Sequence, residues 1–78
     1  MLEIHVHLYS ILREKLPPET KGQVLLLMDK GTMVSDLLKE LDITGKVVIS
    51  VNGVHEADPS RLLCDGDQVK IFSSISGG

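Results

Sequence analysis

The chain has 78 residues, the length of one small domain, and its 42% hydrophobic content is enough for a single core. One Tyr, one Phe and no Trp mean that Leu, Ile and Val must build that core. A formal net charge of −3, with scattered lysines and arginines, argues against a nucleic-acid-binding surface. The longest apolar run, residues 24–28, is far too short to span a membrane.

The number of cysteines is informative about the cellular compartment that we expect for the protein. The single Cys64 cannot form an internal disulfide, and no signal peptide is recognisable, so we expect a soluble, cytoplasmic protein. Cys64 has no activating partner nearby in the sequence, which favours a tolerated thiol over a catalytic one.

Residues 2–9 alternate strictly between apolar and polar side chains, which predicts a half-buried first strand. The side chains on its inward face are Leu2, Ile4, Val6 and Leu8. Ser10 is expected to cap a short helix over residues 11–16, which ends against Pro17 and Pro18 because proline disfavours helical geometry in its predecessor.

Residues 23–28 are leucine-rich and too short for a stable helix, so they are predicted as a second strand that forms a hairpin with the first. Thr32 is expected to cap the main helix, over residues 33–42. Its apolar stripe at helical spacing is Val34, Leu37, Leu38 and Leu41.

A third strand is predicted over residues 47–51, with Val47, Ile49 and Val51 inward, before the Asn52-Gly53 turn signal. Residues 61–63 fit either one helical turn or an extended crossover. After the turn at residues 65–67, residues 68–72 alternate again as a fourth strand. The whole predicts an α+β fold, with a mixed sheet of about four strands packed on one main helix in a single domain, residues 1–78.

The chain stops on two glycines, preceded by Ile75 and Ser76. A Gly-Gly segment has no Cβ atoms, so it can enter a channel too narrow for side chains. Two interpretations stay open at this point. Residues 74–78 form either a frayed tail or a flexible arm that carries a reactive carboxylate on Gly78.

Elsewhere the sequence offers no self-contained active site, since it has no phosphate-binding loop and no nucleophile with a spaced base. His5 and His7 share one strand face and could bind a metal with His55, but no carboxylate or cysteine completes the set at a credible spacing. A polar solvent-facing surface is favoured, and no metal site is expected.

Both aromatic residues, Tyr9 and Phe72, fall on the polar face of their strands. If the first and last strands are neighbours, the two rings form an exposed apolar spot of the kind that marks partner surfaces. The alternative is that each ring is a tolerated surface residue.

The chain resembles the ubiquitin-like β-grasp sulfur carriers of the MoaD/ThiS type. The resemblance covers its whole length and is carried by Asn52-Gly53, the Asp65-Gly66-Asp67 turn and the terminal Ser76-Gly77-Gly78. The run from Leu8 to Glu14 is most similar to the branch of the molybdopterin synthase small subunit. Ser73-Ser74 stand where the family often has a Pro-Pro pair.

The resemblance implies a reaction cycle that takes place on the C-terminal carboxylate of Gly78. An adenylating enzyme of the ubiquitin-activating type would use ATP to adenylate Gly78, and a sulfur donor would convert the adenylate to a thiocarboxylate. Gly77 would let the tail thread into the molybdopterin synthase large subunit. The chain would then be a non-catalytic, sulfur-carrying subunit in molybdenum cofactor biosynthesis that binds no cofactor itself.

The family's partner surface falls here on Tyr9, His55 and Phe72, with Ser76 in the tail. His55 stands where the family usually has an aliphatic residue. Three other functions remain: another sulfur carrier, for thiamine or tRNA thiolation; a ubiquitin-like modifier joined through Gly78 to lysines; and a binding module whose Gly-Gly is incidental.

Overall fold

A computed structural model describes residues 1–43, 46–54 and 58–73. Residues 44–45, 55–57 and 74–78 lie outside the described residues. Within the described ranges, no helix is long and apolar enough to cross a membrane.

The core of the fold is a four-stranded mixed sheet. Its strands are β1 (Leu2–Leu8), β2 (Gln23–Met28), β3 (Val47–Val51) and β4 (Gln68–Ser73). Their spatial order is β2-β1-β4-β3. The central pair, β1 and β4, runs parallel, whereas β2 and β3 each pair antiparallel with their neighbour. The predicted mixed sheet and the hairpin of the first two strands are confirmed.

Helix α1 (Val34–Glu40) supplies the second layer. Val34 and Leu37 are fully buried, as their helical spacing predicts, and Leu38 and Leu41 pack at the edge of the same cluster. The core cluster joins them to aliphatic side chains of the strands: Ile4, Val6, Leu8, Ile49, Val51, Val69 and Ile71. Burying each such side chain contributes about 1.5–3 kcal/mol, so this aliphatic contact holds helix and sheet together.

Both predicted helix caps are wrong. Ser10 is the first residue of a 3₁₀ helix (Ser10–Lys15) and has a positive φ of 55°, so Tyr9 occupies the cap position. Met33, not Thr32, caps α1, and its backbone N–H donates to the Asp36 carboxylate at 2.9 Å. The Thr32 hydroxyl instead donates to the Asp29 carbonyl at 2.6 Å. In both places a competing local hydrogen bond or turn geometry outweighs the residue's capping preference.

The structure shows the form of two connections, one predicted as a short helix and the other left open by the sequence. The short segment after β1 forms the 3₁₀ helix and is followed by a second one, Pro18–Thr20. Residues 61–63 are extended, because Leu62 forms a β-bridge with Met33 and the Leu63 N–H donates to the Thr32 carbonyl at 2.9 Å. Leu63 is buried and Leu62 is exposed, as in a strand.

Candidate partner-binding site

Tyr9 and Phe72 stack against each other on the sheet face that points away from α1. Their ring centroids lie 4.3 Å apart and their planes are 14° from parallel. The Tyr9 N–H donates to the Ile71 carbonyl at 3.1 Å, which continues the parallel β1–β4 ladder one residue beyond β1. The predicted meeting of the two aromatic residues is therefore confirmed, and each ring is half-buried.

His7 extends this stack. Its ring lies 4.1 Å from that of Tyr9, at 25° between planes. From the sequence, His7 is expected on a polar solvent-facing surface, whereas in the structure its side chain is half-buried. The spacing of His7 and Tyr9 could have indicated this contact, because residues two apart on one strand lie on the same face of the sheet. We call His7, Tyr9 and Phe72 the aromatic stack.

The neighbours of the aromatic stack differ on its two sides. Val48 of β3 pairs with Phe72, so an aliphatic, half-buried side chain flanks the stack there. Lys70 of β4 pairs with His7 and is exposed. Stacked rings with an aliphatic border and a nearby cation suit the central contact of a protein interface, where aromatic side chains are enriched.

The register that aligns the stack is set by the turn before β4. The Glu3 N–H donates to Asp65 Oδ1 at 2.8 Å, and the Gly66 N–H donates to the Glu3 carbonyl at 2.8 Å. The His5 N–H donates to the Asp67 carbonyl at 2.9 Å. These contacts fix where β4 begins along β1, and hence which of its residues comes beside Tyr9.

The buried side chain of Asp67 also stabilises the turn before β4. It is 6% exposed, and its two carboxylate oxygens accept from the Asn52 side-chain amide and from the Cys64 N–H, each at 2.8 Å. Asn52 Oδ1 in turn accepts from the Gln68 N–H at 2.9 Å. The Cys64 side chain is exposed. The hydrogen bond between Asn52 and Asp67 thus connects the turn that follows β3 to the start of β4.

The remaining predicted site residues lie outside the described part of the chain. These are His55, Ser76, Gly77 and Gly78. Residues 1–43, 46–54 and 58–73 contain no group of three or more His, Cys, Asp or Glu side chains arranged to hold a metal ion. His55, the third ligand suggested for a metal site with His5 and His7, is among the residues outside the described part. Ser73, the last residue of β4, directly follows Phe72, so the aromatic stack lies at the C-terminal end of this strand.

A family model described as the ThiS family matches residues 6–78. The match includes the last three residues of β1, all of β2, β3 and β4, the aromatic stack and the terminal Gly-Gly. No curated protein sequence matches the chain significantly.

Several solved structures share the fold at low sequence identity. Small archaeal modifier protein 1 of Haloferax volcanii has a TM-score of 0.78 at 16% identity, over 96% of this chain and 100% of its own. A Pyrococcus furiosus protein provisionally assigned as molybdopterin converting factor subunit 1 has a TM-score of 0.77 at 21% identity, over 96% and 100%. Urm1 of Trypanosoma brucei has a TM-score of 0.72 at 16% identity, over 97% and 95%. These likenesses confirm the β-grasp fold.

Proposed function

Because the chain belongs to the ThiS family of ubiquitin-like sulfur carriers, we propose that it carries sulfur as a thiocarboxylate on Gly78. We further propose that it delivers this sulfur as the small, non-catalytic subunit of molybdopterin synthase. The family match carries the proposal, because it extends through Gly77 and Gly78.

The chemistry explains why such a tail needs other proteins. A carboxylate is a poor electrophile, so an adenylating enzyme of the ubiquitin-activating type must first join the Gly78 oxygen to the α-phosphate of ATP, releasing pyrophosphate. A sulfur donor then displaces AMP and leaves the thiocarboxylate. Its sulfur is a strong nucleophile that the molybdopterin synthase large subunit can direct at its substrate. ATP belongs to the activating enzyme, and we assign no bound cofactor or metal to this chain.

The aromatic stack supports a docking role for the sheet face. Phe72 lies next to the last residue of β4, and the five residues after Ser73 can reach at most about 18 Å when fully extended. A partner that holds Tyr9 and Phe72 therefore has its active site within that distance of β4. Our proposal places His55 at the edge of this contact and Ser76 at the entrance to the partner's channel, with the cytoplasm as the compartment.

The test is intact-mass spectrometry of the protein after incubation with its activating enzyme, ATP and a sulfur donor. We expect a mass increase equal to the exchange of one oxygen for sulfur, localised to Gly78 by fragmentation. The matched control is the chain lacking Gly78, which should not change. Absence of exchange in the intact chain would exclude every sulfur-carrier function.

A second experiment distinguishes between the molecules to which Gly78 could pass its sulfur or be joined. The thiocarboxylate form is mixed with a molybdopterin synthase large subunit and cyclic pyranopterin monophosphate, and formation of the dithiolene product is expected. The fold likeness to a small archaeal modifier protein supports one second candidate, in which Gly78 is joined to lysines of other proteins. Covalent adducts in cells, together with no dithiolene product, would favour that modifier; thiolated thiamine precursor or tRNA would favour another carrier.

A further inference from the structure

Strand β2 presents an unpaired edge whose hydrogen-bonding groups can be assigned. The Leu8 N–H donates toward β2, to the Gly22 carbonyl at 2.7 Å, whereas the His5 N–H donates toward β4. Pairing alternates in an antiparallel ladder, so Leu25, opposite His5, directs its N–H and C=O away from β1. By the same alternation, Gln23 and Leu27 also direct theirs to the free edge.

This edge has none of the usual protection against pairing. Residues 23–28 include no proline and no charged side chain, and the β1–β2 register runs without a bulge. Leu25 is 49% exposed and Leu27 is 60% exposed, both on the outer face of the sheet. Among the described residues, no backbone hydrogen bond closes the edge. Such an edge is a template for another strand.

We propose that the occupant is a second copy of this chain, joined antiparallel through β2 about a two-fold axis at Leu25. In this register Leu25 faces Leu25 of the other copy, and Gln23 faces Leu27. All three outward-directed residues then form hydrogen-bonded pairs, with about six intermolecular hydrogen bonds. The leucines of both copies lie side by side on one face of the joined sheet, where cross-strand pairs stabilise the contact.

The charges that flank β2 fit this two-fold arrangement. Lys21 lies in the turn before β2, with a positive φ of 56°, and Asp29 directly follows the strand; both are exposed. The antiparallel pairing brings the Lys21 end of each copy beside the Asp29 end of the other, so opposite charges meet at both ends of the contact. The self-complementary pattern favours a second copy over an unrelated strand.

The contact is narrow, so the dimer is weak and concentration-dependent. It forms through β2, at the opposite edge of the sheet from β3, and leaves the aromatic stack of each copy on the shared outer face. The proposal is therefore independent of the sulfur-carrier function.

The test is sedimentation equilibrium of the full chain from about 10 µM to about 1 mM, the range in which a small interface is expected to dissociate. Reversing one charge, by Lys21→Asp or Asp29→Lys, replaces two opposite-charge pairs by two like-charge pairs. Each single variant should raise the dimer dissociation constant by roughly tenfold. The double variant restores both pairs in reversed order and should return close to the wild-type value.

Leu25→Lys places a charge at the centre of the pairing and should leave a monomer. Leu62→Lys, at another exposed leucine away from β2, is its control and should leave the dimer unchanged. In the wild-type dimer the amide protons of Leu25 and Leu27 should exchange more slowly as concentration rises. A monomer at about 1 mM, or a double charge variant no better than the single ones, overturns the proposal. So does β2 amide protection that appears only when a different protein is added.

Discussion

The Asn52 side-chain amide donates a hydrogen bond of 2.8 Å to the buried carboxylate of Asp67, across the gap between the β3 turn and the start of β4. The other Asp67 oxygen accepts from the Cys64 N–H. One buried acceptor therefore serves two donors that have no alternative partner in the described structure. Loss of the Asp67 carboxylate would therefore remove both hydrogen bonds at once.

We expect Asp67→Ala to lower the free energy of unfolding by about 2–4 kcal/mol, because it leaves two donors without their charged acceptor. The matched control is Asp65→Ala in the same turn. Asp65 is exposed and its carboxylate accepts a hydrogen bond from the Glu3 N–H, so its loss should cost about 0.5–1.5 kcal/mol. Urea denaturation measures both. Equal losses in the two variants would contradict the special role of Asp67.

Among the glycines that the structure describes, Gly22 is the least able to accept a side chain. Its φ is +80°, and a Cβ atom there would lie 2.5 Å from the Leu8 carbonyl oxygen, a backbone atom that cannot move aside. Gly22→Ala should destabilise the protein by about 3 kcal/mol or more. Gly31, with φ +94° and open space around its Cβ position, is the control, and its change to Ala should cost about 1–2 kcal/mol. Thermal or urea unfolding of the two variants separates the cost of the steric clash from that of backbone strain. Equal losses of unfolding free energy in the two variants would refute the close contact at Gly22.

Phe72→Ala is expected to weaken binding to the proposed large subunit while the fold stays intact. The ring is half-buried on the outer face, so its removal should lower stability by only about 1 kcal/mol but lower affinity by roughly 10- to 30-fold. Isothermal titration calorimetry measures the affinity, and circular dichroism checks the fold. Leu62→Ala removes a more exposed apolar side chain away from the aromatic stack and should leave affinity unchanged. Unfolding of the Phe72 variant would show that the ring belongs to the core.

Asp58 gives a pH-dependent prediction. The Ser60 hydroxyl and then the Ser60 backbone N–H donate to its carboxylate and lower the pKa of Asp58 below the ordinary aspartate value. A depressed folded-state pKa means that these hydrogen bonds contribute above the ordinary value and are lost as the pH falls through the folded one. Ser60→Ala should raise the pKa of Asp58 in an NMR titration of its carboxyl carbon. No change on substitution would show that the hydroxyl contact is absent in solution.

The strands could be predicted because their signals are local. Alternation over residues 2–9 and 68–72 and the turn residues at 52–53 and 65–67 place strand boundaries to within a residue or two. The leucine stripe of α1 likewise identifies its buried face. The two helix caps were wrong because capping depends on which neighbouring hydrogen bond competes, and this differs between Thr32 and Met33 only in the folded chain.

The sequence does not predict which side chains of β2 are exposed. Residues 24–28 are all apolar, so they carry no period that tells Leu25 and Leu27, which are exposed, from Leu26, which is half-buried. Only the pairing with β1 decides this, because Leu25 comes opposite His5 on the outer face. The exposed edge that underlies the proposed dimer is therefore invisible in the sequence.

The sequence alone determined the aliphatic core, the order of the elements and the terminal Gly-Gly, because these depend on composition, local periodicity and residue identity. Only the tertiary structure decided that Tyr9 and Phe72 stack and that His7 joins them. That outcome rests on β1 and β4 being parallel neighbours, in a register set by the backbone contacts of Glu3 with Asp65 and Gly66. Contacts between residues so far apart in the chain leave no periodic trace in the sequence, since each strand alternates in the same way whichever neighbour it acquires.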